Sequence, residues 1–266
     1  MSEEKTLVHT AVEAAVCTVT LDSPHNRNAL SSTLVRQLRE AIAAAGADPA
    51  VRAVVVTHTG GTFCAGADLA EALSRGLTPE EATAEVGSTM SALMRSFIEL
   101  PKPVIVKIDG HVRAGGFGLV GAADMALAGP SSTFALTESR LGLAPSIISV
   151  VLLPRMTARA AGRYFLTGET FGAAQAVTTG LLTAAAESPQ DLDQRLEEIL
   201  EGVRKASPQG LAASKKLTTA ALLDGFDEAT AARAAESMAA FASEEAREGM
   251  TAFLSKRKPS WDASSS

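Results

Sequence analysis

The chain has 266 residues, 46% of them hydrophobic and 20% charged, with a formal net charge of -6 at pH 7. That length suffices for one large core, or for a core with a helical extension. The acidic balance argues against a general nucleic-acid binder, and no apolar run approaches the roughly 20 residues needed to cross a bilayer. The two cysteines, Cys17 and Cys64, make no disulfide framework and point to a reducing compartment. The polar start, Met1-Ser2-Glu3-Glu4-Lys5, carries no apolar signal region, so the expected location is the cytoplasm.

Residues 7–12 and 15–21 read as two strands that pair antiparallel. A polar turn from Asp22 to Asn28 leads into an amphipathic helix on Leu34, Leu38 and Ile42. Ser31 or Ser32 is placed to cap its start and Gly46 to end it. Strand, loop and helix then repeat: a β-branched run at 53–57, a helix over 79–100, and a run at 104–108. A helix from about Gly115 and a strand at 125–128 follow. Strands alternating with helices predict α/β architecture with largely parallel pairing. From about Thr157 the pattern reads as nearly all helix, punctuated by Gly168, Gly172, Gly180, Pro189 and Pro208. A boundary near residue 205 is expected, between an α/β core (1–205) and a C-terminal helical extension (206–266).

Two glycine-rich loops follow successive core strands. The first contains Gly60-Gly61-Thr62-Phe63-Cys64-Ala65-Gly66-Ala67-Asp68-Leu69, the second Gly110-His111-Val112-Arg113-Ala114-Gly115-Gly116-Phe117-Gly118. Small residues at strand-to-helix junctions let a ligand approach the backbone and leave the first helical amides unpaired. One amide from each loop would hold a developing oxyanion, with Glu138 moving protons. Gly116, Gly118 and Gly121 match dinucleotide-fingerprint spacing, but residues 109–115 separate them from the strand, which removes the context that motif needs. His9, His25, His58 and His111 lack metal-ligand spacing, and no metal is expected.

These segments resemble the crotonase superfamily, the enoyl-CoA hydratases and isomerases. The resemblance runs through Asn28-Ala29-Leu30, Phe63 to Leu69, Gly110 to Gly118 with Asp124, Phe134 to Gly142, and Glu248 to Lys258. It implies an α/β fold, a spiral of ββα units with a C-terminal helical region that builds trimers or dimers of trimers. It also implies an acyl-CoA substrate, whose thioester enolate is held by the amides of Ala65 and Gly115, with Glu138 as the catalytic carboxylate. CoA itself is part of the substrate, and no further cofactor is implied. Its contacts would come from Arg27, Ala29, Ala65, Ala67, Asp68, Leu69, Lys256 and Lys258, the lysines meeting phosphate. His111, Gly118 and Pro145 would border the acyl group; the apolar face of the 79–100 helix (Val86, Met90, Leu93, Met94, Phe97) reads equally well as a further wall or as core packing.

One departure limits the carry-over. Family hydratases typically use two glutamates, and Gly118 stands where the first is found. Three readings follow: a hydratase working with Glu138 alone or with a substitute group, a one-base Δ3,Δ2-enoyl-CoA isomerase, and a non-catalytic acyl-CoA binder. Residues 141–149 are similar to bacterial methylglutaconyl-CoA hydratases, which tilts the reading toward hydration. Ser146 replaces the aspartate of family dienoyl-CoA isomerases and disfavours that activity.

Overall fold

A computed structural model describes residues 5–68, 71 and 74–264. Strand β1 (Val8–Glu13) pairs antiparallel with β2 (Val16–Leu21), the chain reversing through Ala14 and Ala15. From β2 onward the large sheet is parallel. It adds β3 (Ala53–His58), β5 (Val104–Ile108), β7 (Met125–Ala128) and β10 (Ala184–Ala185) in that order. The β-branched runs at 53–57 and 104–108 are buried on both faces, as central parallel strands require.

A second, 4-stranded sheet is built from β4 (Thr62–Cys64), β6 (His111–Arg113), β8 (Thr133–Ala135) and β9 (Phe171–Gly172). Each unit sends its first strand to the large sheet and its second to the small one: β3 then β4, β5 then β6, β7 then β8. This staggered repetition is the spiral of ββα units that the family resemblance implies. Strands β9 and β10 interrupt the region expected to be all helix. Two residues each, they are too short to carry a periodicity.

Helix α1 (Ser32–Ala47) is capped by Ser31, whose side chain accepts from the Leu34 amide at 3.3 Å. It passes through Gly46 rather than ending there. A Cβ at Gly46 would lie 2.7 Å from Leu100 Cδ1, so the glycine lets α1 approach the end of α2 (Pro79–Glu99). Helix α2 opens on a reciprocal cap: Thr78 Oγ1 accepts from the Glu81 amide, and the Glu81 carboxylate accepts from the Thr78 amide. Helices α3 (Gly115–Ala122), α4 (Ser146–Leu152), α5 (Ala158–Thr167) and α6 (Ala173–Thr178) complete the spiral. After β10 come α7 (Pro189–Lys205), α8 (Pro208–Leu223), α9 (Phe226–Phe241) and α10 (Glu244–Leu254).

The expected boundary near residue 205 divides no core. Leu222 of α8 and Phe226 of α9 share one apolar cluster with Leu93, Phe97 and Phe117. Lys215 of α8 is buried, its Nζ 2.7 Å from Asp124 Oδ2, and donates to the carbonyls of Phe97 and Lys102. Asp124 also accepts from the Val104 amide at 2.7 Å. Burial pulls the Lys215 pKa down while Asp124 opposes the shift, so the ammonium is held by geometry on three sides. Among the described residues, no helix is long and apolar enough to cross a membrane.

Candidate active site

The turn that precedes α1 braces the first glycine loop. Arg27 and Asn28 adopt left-handed backbone, φ 60° and 52°. The buried Asn28 amide accepts from the Ser23 N–H at 2.6 Å and donates to the carbonyls of Thr59 (3.0 Å) and Thr62 (2.7 Å). The turn is thereby fixed to the link between β3 and β4. It then reaches the loop itself: the Ala65 amide donates to the Arg27 carbonyl at 3.1 Å, and the Leu30 amide to the Gly66 carbonyl at 2.8 Å. Asp68 N–H donates to the Leu30 carbonyl at 3.3 Å.

These bonds correct one expected donor. The single proton of the Ala65 amide is committed to Arg27, so Ala65 does not face a ligand. Leu30 and Ala67 form a parallel bridge, in which the flanking Gly66 carbonyl and Asp68 amide make the bonds. The N–H of Ala67 therefore points away from Leu30, and among the described residues no acceptor holds it. The register of this bridge, which sequence reading could not see, moves the donor two residues along.

The second loop meets the first through small residues. Gly66 has φ 97°, and a Cβ on it would lie 2.6 Å from Ala114 Cβ and 3.3 Å from the Gly115 nitrogen. Gly115 is the first residue of α3, so its amide has no intrahelical acceptor. Ala114 precedes it at φ 43°, ψ -122°, a sparsely populated conformation for a residue with a Cβ. The absent side chain at Gly66 gives that Cβ its room. Ala67 and Gly115 are thus the two amides that flank the contact between the loops.

Glu138 begins a 3₁₀ turn, Glu138–Leu141, closed by Gly142 at φ 72°. Its Oε2 is buried without a hydrogen-bond partner among the described residues. Burial pushes its pKa up to about 7, against a smaller opposing pull from its own backbone amide. A carboxylate with that pKa is half-ionised near neutrality and suited to exchange protons. Among the described residues Arg140 does not pair with Glu138 Oε2; its Nε donates to the Thr167 carbonyl at 2.9 Å. Helix α10 packs on this turn: a Cβ at Gly249 would collide with the Leu141 carbonyl. The base is held from behind by the C-terminal helix of its own chain.

At Gly118 the space for a second carboxylate is filled. A Cβ there would lie 3.0 Å from Ile148 Cγ2, 3.0 Å from Met90 Sδ and 3.2 Å from Met94 Sδ. This side of the site is apolar. A cleft of about 770 Å³ opens nearby between α1 and α2, lined by Leu30, Ala67, Asp68, Val86, Met90 and Leu93 among others.

The family model described as enoyl-CoA hydratase/isomerase matches residues 11–264. The chain belongs to that family. An enoyl-CoA hydratase of solved structure from Mycobacterium avium is 55% identical with a TM-score of 0.90, covering 97% of this chain and 100% of its own. The carnitinyl-CoA dehydratase of Proteus mirabilis is 29% identical, covering 96% of this chain and 97% of its own length. The 1,2-epoxyphenylacetyl-CoA isomerase of Escherichia coli K12 is also 29% identical, over 93% of this chain and 95% of its own.

The remaining residues expected from the enoyl-CoA hydratase/isomerase pattern are placed in different parts of the fold. Ala67 and Asp68 line the cleft, but both Asp68 oxygens are engaged, Oδ2 by Asn26 Nδ2 at 3.0 Å and Oδ1 by the Glu71 amide at 3.1 Å. Asp68 is therefore a brace of the loop. Ala29 is buried beneath the turn, Arg27 is exposed beside it, and Leu69 lies outside the described residues. Lys256 and Lys258 are exposed past α10 and do not line the cleft; Lys258 Nζ donates to Ser264. Pro145 is buried at the start of α4.

His111 is a correction. Alternation along β6 buries Val112 and leaves His111 exposed, with its Nδ1 2.8 Å from Thr133 Oγ1, and it does not line the cleft. Arg113 bonds the Val112 and Thr133 carbonyls within the small sheet. Cys64 is fully buried, its pKa pushed up to about 12 by burial, which makes it a packing residue rather than a nucleophile. Among the described residues no group of three His, Cys, Asp or Glu side chains is placed to hold a metal ion.

Proposed function

We propose that the protein is an enoyl-CoA hydratase in which Ala67 and Gly115 amides hold the thioester oxygen and Glu138 is the acid–base group. The observation that carries this reading is the buried, unpartnered Glu138 Oε2 with its pKa of about 7. As carboxylate, Glu138 takes a proton from water while the water oxygen bonds to C3 of a 2-enoyl-CoA. The C2–C3 π electrons move onto the thioester, giving an enolate whose oxygen the two amides stabilise. Glu138, now protonated, returns that proton to C2, and the 3-hydroxyacyl-CoA leaves. No cofactor enters, since each step moves one proton and one electron pair. Free, buried Cys17 and Cys64 suit a reducing compartment such as the cytoplasm.

A second reading is favoured by the apolar wall at Gly118, where Ile148, Met90 and Met94 leave no second carboxylate to position water. Glu138 then removes a proton from C2 of a 3-enoyl-CoA and returns it to C4, shifting the double bond through the same enolate. Incubating the protein with crotonyl-CoA and with a 3-enoyl-CoA in heavy water separates the two by mass spectrometry. Hydration adds the mass of water to crotonyl-CoA; isomerisation moves the double bond of the other without adding water. No conversion of either would overturn the enzyme reading in favour of an acyl-CoA binder.

The same reading assembles the chain as a homotrimer or dimer of trimers, for which the exposed Leu217, Phe253 and Leu254 supply apolar surface. Light scattering is expected to report a multiple of three chains, and a monomer would contradict it.

A further inference from the structure

The chain leaves the large sheet for the small one at two neighbouring points, from β3 into β4 and from β5 into β6. Backbone pairing of β3 with β5 ends at Val56 and Val106. Pairing of β4 with β6 then sets Thr62 against His111 and Cys64 against Val112, which makes Phe63 the extra residue of a bulge. His58, the last residue of β3, connects the two crossings. Its Nε2 is 3.1 Å from the Asp109 nitrogen and its Nδ1 3.3 Å from the Thr59 carbonyl oxygen. A backbone amide only donates, so Nε2 is bare, and in a neutral ring the proton sits on Nδ1, facing the Thr59 carbonyl. Burial lowers the His58 pKa, against smaller opposing pulls from that carbonyl and Asp109. The ring is therefore neutral at pH 7, with Nε2 free to accept.

The ring is held on other sides as well. The fully buried Phe63 meets it edge to face, with centroids 5.6 Å apart and planes at 86°. A Cβ at Gly110 would lie 2.9 Å from His58 Cε1 and 2.6 Å from the Gly61 carbonyl oxygen, so the glycine lets the two crossings close on the imidazole. The Thr59 carbonyl also accepts from Asn28 at 3.0 Å, whose turn holds the Ala65 amide through the Arg27 carbonyl. His58 thus joins the brace of the first glycine loop to the strand that leads into the second. Strands β4 and β6 have three residues each. His58 stands at one end of this short pair and the contact between Gly66 and Ala114 at the other, so an offset at the bulge is passed directly to the donors.

We propose that His58, as the neutral Nδ1–H tautomer, is a positioning residue that fixes the bulged register of β4 on β6 and through it the spacing of the Ala67 and Gly115 amides. This role presupposes those amides as the thioester site. Two amide side chains separate the ring nitrogens. In His58→Gln the side-chain oxygen stands in for Nε2 and accepts from Asp109. In His58→Asn the shorter side chain reaches the Thr59 carbonyl and leaves the Asp109 amide without its acceptor. With crotonyl-CoA or a 3-enoyl-CoA, whichever the wild type converts, His58→Asn is expected to lower kcat about 10²-fold, the cost of misplacing a catalytic group by about 1 Å. KM should move far less, because the amides hold the enolate more strongly than the thioester. His58→Gln should restore most of the lost kcat.

Equal kcat in wild type and a folded His58→Asn, or equal losses in both variants, would overturn the positioning role while leaving the thioester site standing. A rise in KM with kcat unchanged would also overturn it, placing His58 in substrate binding. ¹⁵N NMR of the wild-type imidazole at pH 7 keeps the test decisive should His58→Asn fail to fold by circular dichroism. A bare Nε2 and a protonated Nδ1 are expected, and a proton on Nε2 would overturn the role whatever the rates. Wild-type protein that converts neither ester would overturn the thioester site and the positioning role together.

Discussion

Replacement of Glu138 by glutamine is expected to lower turnover about 10²- to 10⁴-fold, the range supplied by a positioned acid–base group. Acyl-CoA affinity should change little, because glutamine keeps the shape of the side chain and the Ala67 and Gly115 amides are untouched. The wild-type rate should depend on pH with a defined sign. The base works as carboxylate, so kcat/KM is expected to rise with pH below about 7 and to level off above it. A variant without the carboxylate loses that inflection along with the rate. Turnover in Glu138→Gln equal to wild type would remove Glu138 from the mechanism.

The same group costs stability, and this gives an independent readout. A folded-state pKa of about 7, against an ordinary 4.5, means that the native state holds the proton more tightly than the unfolded chain. Its contribution is fully present below pH 4.5 and is lost as pH rises toward 7. Glutamine stays neutral throughout. The variant should therefore match wild type near pH 4 and exceed it above pH 7 by about 3 kcal/mol, from about 1.4 kcal/mol per pKa unit. Urea unfolding at the two pH values measures the difference. A variant less stable than wild type at pH 8 would mean that the carboxylate is held by favourable partners rather than kept unpaired.

The sequence carries the large parallel sheet because strands buried on both faces need continuous β-branched runs, and 53–57 and 104–108 supply them. It carries α1 and α2 through their capping residues, Ser31 and Thr78. The small sheet escapes because β4, β6 and β8 are three residues each, too short for alternation to stand out from loop. Glu138 was legible as a residue, but its lack of a partner was not: Arg140 two positions on looks like a counter-ion until the Thr167 carbonyl is seen to take it. Gly118 shows in sequence only that a side chain is missing. That Ile148, Met90 and Met94 fill the gap follows from packing between α2, α3 and α4. Lys215 reads as one more solvated helix charge, although Asp124 and two carbonyls enclose it.

Ala65 shows most plainly why a motif alone does not place a donor. Ala65 and Ala67 are the same residue type either side of Gly66; the bond to the Arg27 carbonyl commits the first amide, and the bridge to Leu30 turns the second toward the site. Exchanging one backbone amide for an ester removes a single N–H with almost no change of shape. At Ala67 this exchange is expected to lower kcat about 10²- to 10³-fold, the cost of one oxyanion donor. The effect falls on kcat more than on KM, because the enolate oxygen carries more charge than the thioester carbonyl it forms from. The exchange also weakens the Gly66 carbonyl as acceptor for Leu30, a small loss that appears in the melting temperature and not in the rate. At Gly115 the same replacement should cost as much as at Ala67. At Ala65 it deletes the bond to Arg27, so about 1 kcal/mol of stability is expected to go while kcat changes far less. Equal losses of kcat at Ala65 and Ala67 would show that the first loop is merely displaced by either exchange. A loss confined to Ala65 would return the donor to that residue, and the observed register would then not be the one in which the enzyme works.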